Sequence, residues 1–154
     1  MAVALRQRST MAPHMSSAGV DTALRQESLQ LPARGASVAA ARRLVRNRVP
    51  HWGFDEDVCG AAELVMSELF TNALVHTASD QILCVLRAQE RRSLYVEVAD
   101  QGGGPLGPMP REAGVEDESG RGLALVRALT EAWGDRPGAA GGRVVWAQLS
   151  ALAR

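Results

Sequence analysis

The segment from Asp55 to His76 is the part of the sequence that most constrains the fold of this chain. One side of it is apolar in its first half and polar in its second half. At about 100° per residue, six side chains share that side: Val58, Ala61, Val65, Glu68, Asn72 and His76. Asp55 is a favourable helix N-cap residue. The pattern predicts a long helix that enters a core along its first half and then opens onto a cavity.

The bulk composition indicates a single domain. The chain has 154 residues, 46% of them hydrophobic, which is enough to bury a core. Its formal net charge is zero, so no overall field recruits nucleic acid or an anionic membrane. All 17 basic residues are arginine. The absence of lysine excludes a P-loop and the strand lysine of eukaryotic-type protein kinases.

Cysteine usage and hydropathy predict a cytoplasmic protein. Cys59 and Cys84 lack CxxC spacing, and the three histidines form no metal-ligand pattern. We expect both thiols to be reduced and buried. The first ten residues lack the long apolar stretch of a secretory signal, and we expect no segment to approach the roughly 18 apolar residues of a membrane span.

Spacing and breaker residues divide the chain into a tail, residues 1–26, and one domain, residues 27–154. Within the domain we predict a short strand, two helices, a hairpin, a long loop, a third helix and a last strand. The first strand is predicted at residues 27–31, the two helices at 37–49 and 55–76, and the hairpin strands at 81–88 and 93–99. The loop follows at 102–119, the third helix at 122–133 and the last strand at 142–149. A loop of that length is typical of an active-site lid. The predicted fold is an α/β two-layer sandwich (α+β), with a mixed, mainly antiparallel sheet covered on one face by about three helices.

Glu68 and Asn72 lie one helical turn apart. A carboxylate can orient a water molecule or accept a hydroxyl proton, and an amide oxygen is a suitable ligand for Mg²⁺. Either residue alone would be interpreted as the exposed polar end of an amphipathic helix. The pair predicts a catalytic carboxylate beside a metal ligand, whereas His76 is interpreted as structural.

A DxGxG pattern follows the second hairpin strand, with Asp100, Gly102 and Gly104 as its defined positions. The carboxylate can accept a hydrogen bond from an exocyclic amine, and the glycines allow the backbone to approach a base or sugar closely. An ordinary turn has the same composition. Gly102, Gly104 and Gly107 also satisfy GxGxxG, but the prolines of this segment prevent the helix that a dinucleotide-binding fingerprint requires.

Gly120 and Gly122 precede an apolar helix and flank Arg121. Free N–H groups at a helix start form an anion site, and the arginine adds a full positive charge. A flexible hinge with a solvated arginine is an equally good interpretation of this segment alone.

The order of the three motifs, ELFTN, VADQGGG and SGRGLALV, resembles the GHKL ATPase superfamily, and specifically the anti-sigma factor serine/threonine kinases of actinobacterial type. The similarity extends from about Leu31 to Leu149. It implies ATP and Mg²⁺ as cofactors, with Glu68 as the activating carboxylate, Asn72 as the Mg²⁺ ligand and Asp100 as the group that recognises the adenine amine.

The same resemblance implies that Gly102 and Gly104 shape the adenine pocket, and that Gly120 and Gly122 pack on the phosphates. Relatives carry a threonine in the last strand that helps to hold adenine. The matching residue here is expected to be Val144, a departure that would weaken adenine binding.

Two functions follow from these expectations. In the first, the protein is a serine/threonine kinase and anti-sigma regulator whose partners are a sigma factor and an anti-sigma factor antagonist, and which forms a homodimer as the family implies. In the second, it is a nucleotide-gated module that sequesters a partner without phosphoryl transfer. Nucleic-acid binding by the arginine-rich helix at residues 37–49 is disfavoured, and an acidic protein surface is the expected partner of that helix.

Overall fold

The computed structural model describes residues 24–89, 92–101 and 120–151, and it arranges them as five strands and three helices. Short 3-10 turns lie at residues 35–37, 50–52 and 139–141. In chain order the main elements are β1 (Leu24–Pro32), α1 (Val38–Arg48), α2 (Glu56–His76), β2 (Gln81–Gln89), β3 (Ser93–Asp100), α3 (Gly120–Leu129), β4 (Ala132–Pro137) and β5 (Arg143–Ser150).

The five strands form one sheet in the order β1-β2-β3-β5-β4. Each of the four pairings among the described strands is antiparallel. The predicted sandwich is therefore confirmed, and its sheet is antiparallel throughout this part of the chain rather than mixed.

The three helices lie side by side on one face of the sheet. α1 contacts β1 at one edge, α2 contacts β3 and β5 in the middle, and α3 contacts β4 at the other edge. α2 also packs against both α1 and α3. Consequently α2 is the central helix, and it has one flank facing α1 and one facing α3.

Helix α2 begins where the sequence predicts. Asp55 has extended backbone and its carboxylate accepts a hydrogen bond from the Val58 amide at 3.0 Å, which caps the helix. Seven side chains of α2 are buried in the core: Val58, Ala62, Val65, Met66, Leu69, Phe70 and Ala73. Burial of this face is what holds the helix layer to the sheet.

By length and composition alone, α2 is also apolar enough to cross a membrane, contrary to the expectation from the sequence. Its 21 residues include an 18-residue window with a mean hydropathy of 1.3. The packing supplies another reason for this composition, because a helix at the centre of the helix layer must be apolar towards the sheet.

Two boundaries differ from the prediction. β1 begins at Leu24, so residues 24–26 belong to the strand and not to the tail. The third helix ends at Leu129, and Trp133 lies in β4, an edge strand that the sequence analysis missed. The segment Ala132–Pro137 contains glycine and proline, which are poor strand formers, and its pairing with β5 overrides that weak local preference.

Candidate functional site

The row of side chains along α2 changes from buried to half-buried where its residues become polar. Val58 and Val65 are in the core, whereas Glu68 and Asn72 are half-buried. The two polar residues are separated by about 6 Å of helix rise. Both side chains are therefore partly withdrawn from solvent and still accessible to a ligand.

Glu68 and Asn72 lie on the flank of α2 that faces away from α1. The opposite flank carries Glu63, which forms an ion pair with Arg46 of α1 at 3.1 Å. At 100° per residue, Glu68 and Asn72 lie roughly 140° and 180° around the helix from Glu63. Since α1 and α3 lie on either side of α2, the polar pair belongs to the α3 side.

Asp100 stands on the helix-covered face of the sheet. Leu94, Val96 and Val98 of β3 are buried in the core beneath the helices, and side chains two residues apart share a face of a strand. Asp100 follows in the same alternation and is half-buried, paired in register with Ile82 of β2. Its carboxylate is thus on the same side of the sheet as Glu68 and Asn72.

The end of α2 and the end of β3 lie together. The chain leaves α2 at His76 and enters β2 at Gln81, next to the Ile82 and Asp100 pair. Within this connection, the Ser79 hydroxyl accepts a hydrogen bond from the Gln101 amide at 3.3 Å. Asn72 is one turn before the end of α2, so it approaches the same end of the domain as Asp100.

The first turn of α3 is directed towards this end as well. The opposite end of α3 is followed by Glu131, whose amide donates to the Gln148 carbonyl at 2.8 Å, at the far end of the sheet. Gly120, Arg121 and Gly122 form the first turn and so point away from that far end. Gly102, Gly104 and the whole loop of residues 102–119 lie outside the described residues.

Val144 and Asp100 lie on different faces of the sheet. Val144 pairs with Ala99 and lies on the face of the sheet away from the helices, whereas Asp100 is on the helix-covered face. Arg143 is the β5 residue whose alternation puts it on the Asp100 side, and it pairs with Asp135 at 3.5 Å. The match of Val144 to the family's threonine, with its effect on adenine binding, stays a prediction.

Among the described residues near this end, Ser79 and Arg143 are ones that the sequence did not single out. The period-two alternation of Arg143 with Val145 and Ala147 could have identified its face. Ser79 has no comparable signal, because a serine in a short connection is what any turn contains.

The donor groups fit the ligand that the sequence predicts. The amide oxygen of Asn72 is a hard oxygen ligand of the kind that Mg²⁺ accepts, and the carboxylate of Glu68 can accept a hydroxyl proton. The carboxylate of Asp100 can accept a hydrogen bond from an exocyclic amine, and amides in the first turn of a helix such as α3 are groups that bind phosphate. Among the described residues, Glu68, Asn72 and Asp100 thus lie on the helix-covered face, towards the end of the domain where α2 and β3 both finish.

This α+β sandwich is consistent with the fold of an ATPase-type nucleotide-binding domain. The family model for the histidine kinase-like ATPase domain matches residues 31–149, and the chain belongs to that family. A search of curated proteins for similar sequences found no match. The GHKL resemblance is confirmed at this level, and membership indicates ATP binding, usually with Mg²⁺.

Proposed function

We propose that this chain is a protein serine/threonine kinase of anti-sigma type, which binds ATP and Mg²⁺, phosphorylates a serine of an antagonist protein and sequesters a sigma factor. The proposal rests chiefly on one observation, the half-buried Glu68 one turn before Asn72 on the flank of α2 that faces α3. A carboxylate at that position can accept the hydroxyl proton of a phosphoryl acceptor. Family membership supports the ATP-dependent part of the proposal.

Each residue has a separate role in this proposal. Asn72 would hold Mg²⁺, which neutralises phosphate charge when bound. Asp100 accepts a hydrogen bond from the adenine amine, and Gly102 and Gly104 leave room for the base. Gly120 and Gly122 expose amides to the phosphates at the start of α3, and Arg121 adds positive charge that lysine supplies in other kinases.

Glu68 handles the proton in the transfer step. The serine oxygen of the acceptor attacks the γ-phosphorus of ATP, and the bond from that phosphorus to the β,γ-bridging oxygen breaks, which releases ADP. The hydroxyl proton passes to the Glu68 carboxylate. Phosphoryl transfer needs mainly positioning and charge neutralisation, so the absence of lysine is no obstacle.

A nucleotide-gated binding module is the second candidate, and the same pocket supports it. In that case the protein captures its partner when ATP is bound and transfers no phosphate. A Glu68→Ala variant separates the two, because a kinase would lose phosphoryl transfer and retain ATP, whereas a binding module would retain its regulatory effect.

The experiment that tests the proposal begins with ATP affinity, measured by calorimetry with Mg²⁺ and with EDTA. We expect tighter binding with Mg²⁺. The protein is then incubated with γ-labelled ATP, Mg²⁺ and its antagonist protein, and phosphoserine is detected by mass spectrometry. Absence of phosphoprotein with the wild-type chain, together with intact ATP binding, would exclude the kinase and favour the binding module.

The proposed location follows from the proposed partners, and the proposed dimer follows from the family resemblance. A sigma factor and its antagonist are cytoplasmic, so the protein is proposed to act there, as a homodimer and without direct contact to nucleic acid or membrane.

A further inference from the structure

We propose that Ser79 is a positioning residue for adenine recognition, which acts by holding the end of β3 so that Asp100 faces the base. The proposal rests on the proposed function, in which Asp100 reads the adenine amine. Ser79 itself contacts neither metal nor nucleotide in this scheme. It lies in the four-residue connection between α2 and β2.

The Ser79 hydroxyl makes three hydrogen bonds to backbone groups. It donates to the Gln81 carbonyl at 2.8 Å and accepts from the Gln81 amide at 3.1 Å. It also accepts from the Gln101 amide at 3.3 Å. A serine hydroxyl has one donor and two acceptor sites, so its bonding capacity is fully used.

These bonds stand where the ladder between β2 and β3 ends. The last pair in register is Ile82 with Asp100, and the next residues, Gln81 and Gln101, are both bonded to the Ser79 hydroxyl instead. The backbone on both sides of Asp100 is consequently restrained, by β2 before it and by Ser79 after it. Without the hydroxyl, the amide directly after Asp100 would lose its partner in the connection.

The connection is itself fixed at two further points. The Ser79 amide donates to the Thr77 hydroxyl at 2.8 Å, and the Ala33 amide at the end of β1 donates to the Asp80 carbonyl at 2.8 Å. Because this connection directly follows α2, Ser79 links the helix that carries Asn72 to the strand that carries Asp100. One hydroxyl thus couples the proposed metal ligand to the proposed base-recognition group.

Loss of the Ser79 hydroxyl should change the selectivity of the site for adenine over guanine. Guanine has a carbonyl oxygen where adenine has its amine, so a correctly placed carboxylate accepts from ATP and repels GTP. A carboxylate on a loosened strand end distinguishes the two less well. We therefore expect Ser79 to affect the ratio of ATP to GTP affinity more than overall stability.

The test compares the wild-type chain with Ser79→Ala, Ser79→Thr and the control Ser93→Ala. Ser93 lies at the opposite end of β3, where its hydroxyl accepts from the Gln148 side chain at 2.9 Å, so the control removes a similar bond far from the site. Dissociation constants for ATP and GTP are measured by calorimetry with Mg²⁺, and thermal denaturation checks folding of each variant.

We expect Ser79→Ala to raise the dissociation constant for ATP about fivefold, the factor for one hydrogen bond, and to reduce the preference for ATP over GTP by a similar factor. Ser79→Thr should restore the preference, and Ser93→Ala should leave it unchanged.

The outcomes separate the two proposals. A wild-type chain that binds ATP selectively, with a folded Ser79→Ala variant of equal selectivity, overturns the role of Ser79 and leaves the proposed function standing. An equal loss of selectivity in Ser93→Ala overturns the role of Ser79 too, because any disturbance of β3 would then have the same effect. A wild-type chain that binds no ATP overturns the proposed function and this inference with it.

Discussion

Arg46 of α1 and Glu63 of α2 form a two-point ion pair. The Arg46 Nε and Nη2 atoms lie 3.1 Å from Glu63 Oε2 and Oε1 respectively. Arg48 pairs with Glu27 of β1 at 3.3 Å. Two arginines of the basic helix therefore tie α1 to its neighbours, whereas no such tie is described for the exposed Arg42 and Arg43.

Reversing the charge of Arg46 should destabilise the domain slightly, since the pair is exposed and partly screened. We expect Arg46→Glu to lower the urea midpoint, and the double variant Arg46→Glu with Glu63→Arg to recover most of the loss. The effect should shrink at high salt. The matched control is Arg42→Glu on the same helix, and an equal loss there would mean that helix charge, not the pair, is responsible.

Removal of the α2 cap should cost about 1 kcal/mol of unfolding free energy. Asp55→Ala deletes the acceptor of the Val58 amide, whereas Asp55→Asn retains a capping oxygen and should be nearly neutral. The control Asp57→Ala removes a charge from the first turn of α2 and leaves the cap intact. Chemical denaturation measures all three, and a cap role is contradicted if Asp57→Ala costs as much as Asp55→Ala.

Two leucines on α2 should differ sharply in their contribution to stability. Leu69 is fully buried, so Leu69→Ala should lower the unfolding free energy by about 2 to 5 kcal/mol through lost burial and a cavity. Leu64 is 46% exposed, and Leu64→Ala should change it by about 0.5 kcal/mol or less. Similar losses for both would show that the two faces of α2 are buried to a similar degree in solution.

Burial of Cys84 predicts a loss of stability at high pH. Burial raises the pKa of its thiol from 9.0 to about 12, so above pH 9 the unfolded chain loses this proton while the folded chain retains it. The unfolded state then binds fewer protons, and unfolding free energy falls as pH rises from about 9 to about 12.

The Cys84→Ala variant should remove this part of the pH dependence, which is measured by urea denaturation at several pH values. In the native protein a thiol reagent should react with the half-buried Cys59 before Cys84. Fast labelling of Cys84 under native conditions would contradict the buried position.

Variants of the residues that are proposed to bind the nucleotide should lose ATP affinity in different ways. Asn72→Ala should reduce ATP affinity with Mg²⁺ to the level measured with EDTA. Asp100→Ala should weaken ATP about tenfold or more under both conditions, because it removes a charged acceptor from a hydrogen bond. Asn47→Ala and Asp57→Ala are matched surface controls, and calorimetry is the measurement. If Asn72→Ala leaves the Mg²⁺ dependence intact, another group holds the metal.

Much of the fold could be predicted because local patterns and tertiary packing agree. The Asp55 cap, the periodicity of α2 and the alternation of the hairpin strands each reflect an interaction within a few residues. β4 was missed because its residues have little strand preference of their own. The faces taken by Arg143 and Val144 depend on strand register, since a shift of one position along a strand moves a side chain to the other face.

The sequence by itself determined the chemistry of the candidate site, because Glu68, Asn72 and Asp100 are recognisable from residue type, spacing and motif order. Only the tertiary structure decided that Asp100 shares the helix-covered face with that pair. It also decided that Arg143, and not Val144, lies on the same face as Asp100, and that the Ser79 hydroxyl binds the amide that follows β3. These relations depend on strand register and on contacts between segments tens of residues apart. Alternation along a strand can indicate the face that a residue takes, but it does not encode contacts between distant segments, which form only when the helix layer and the sheet pack together.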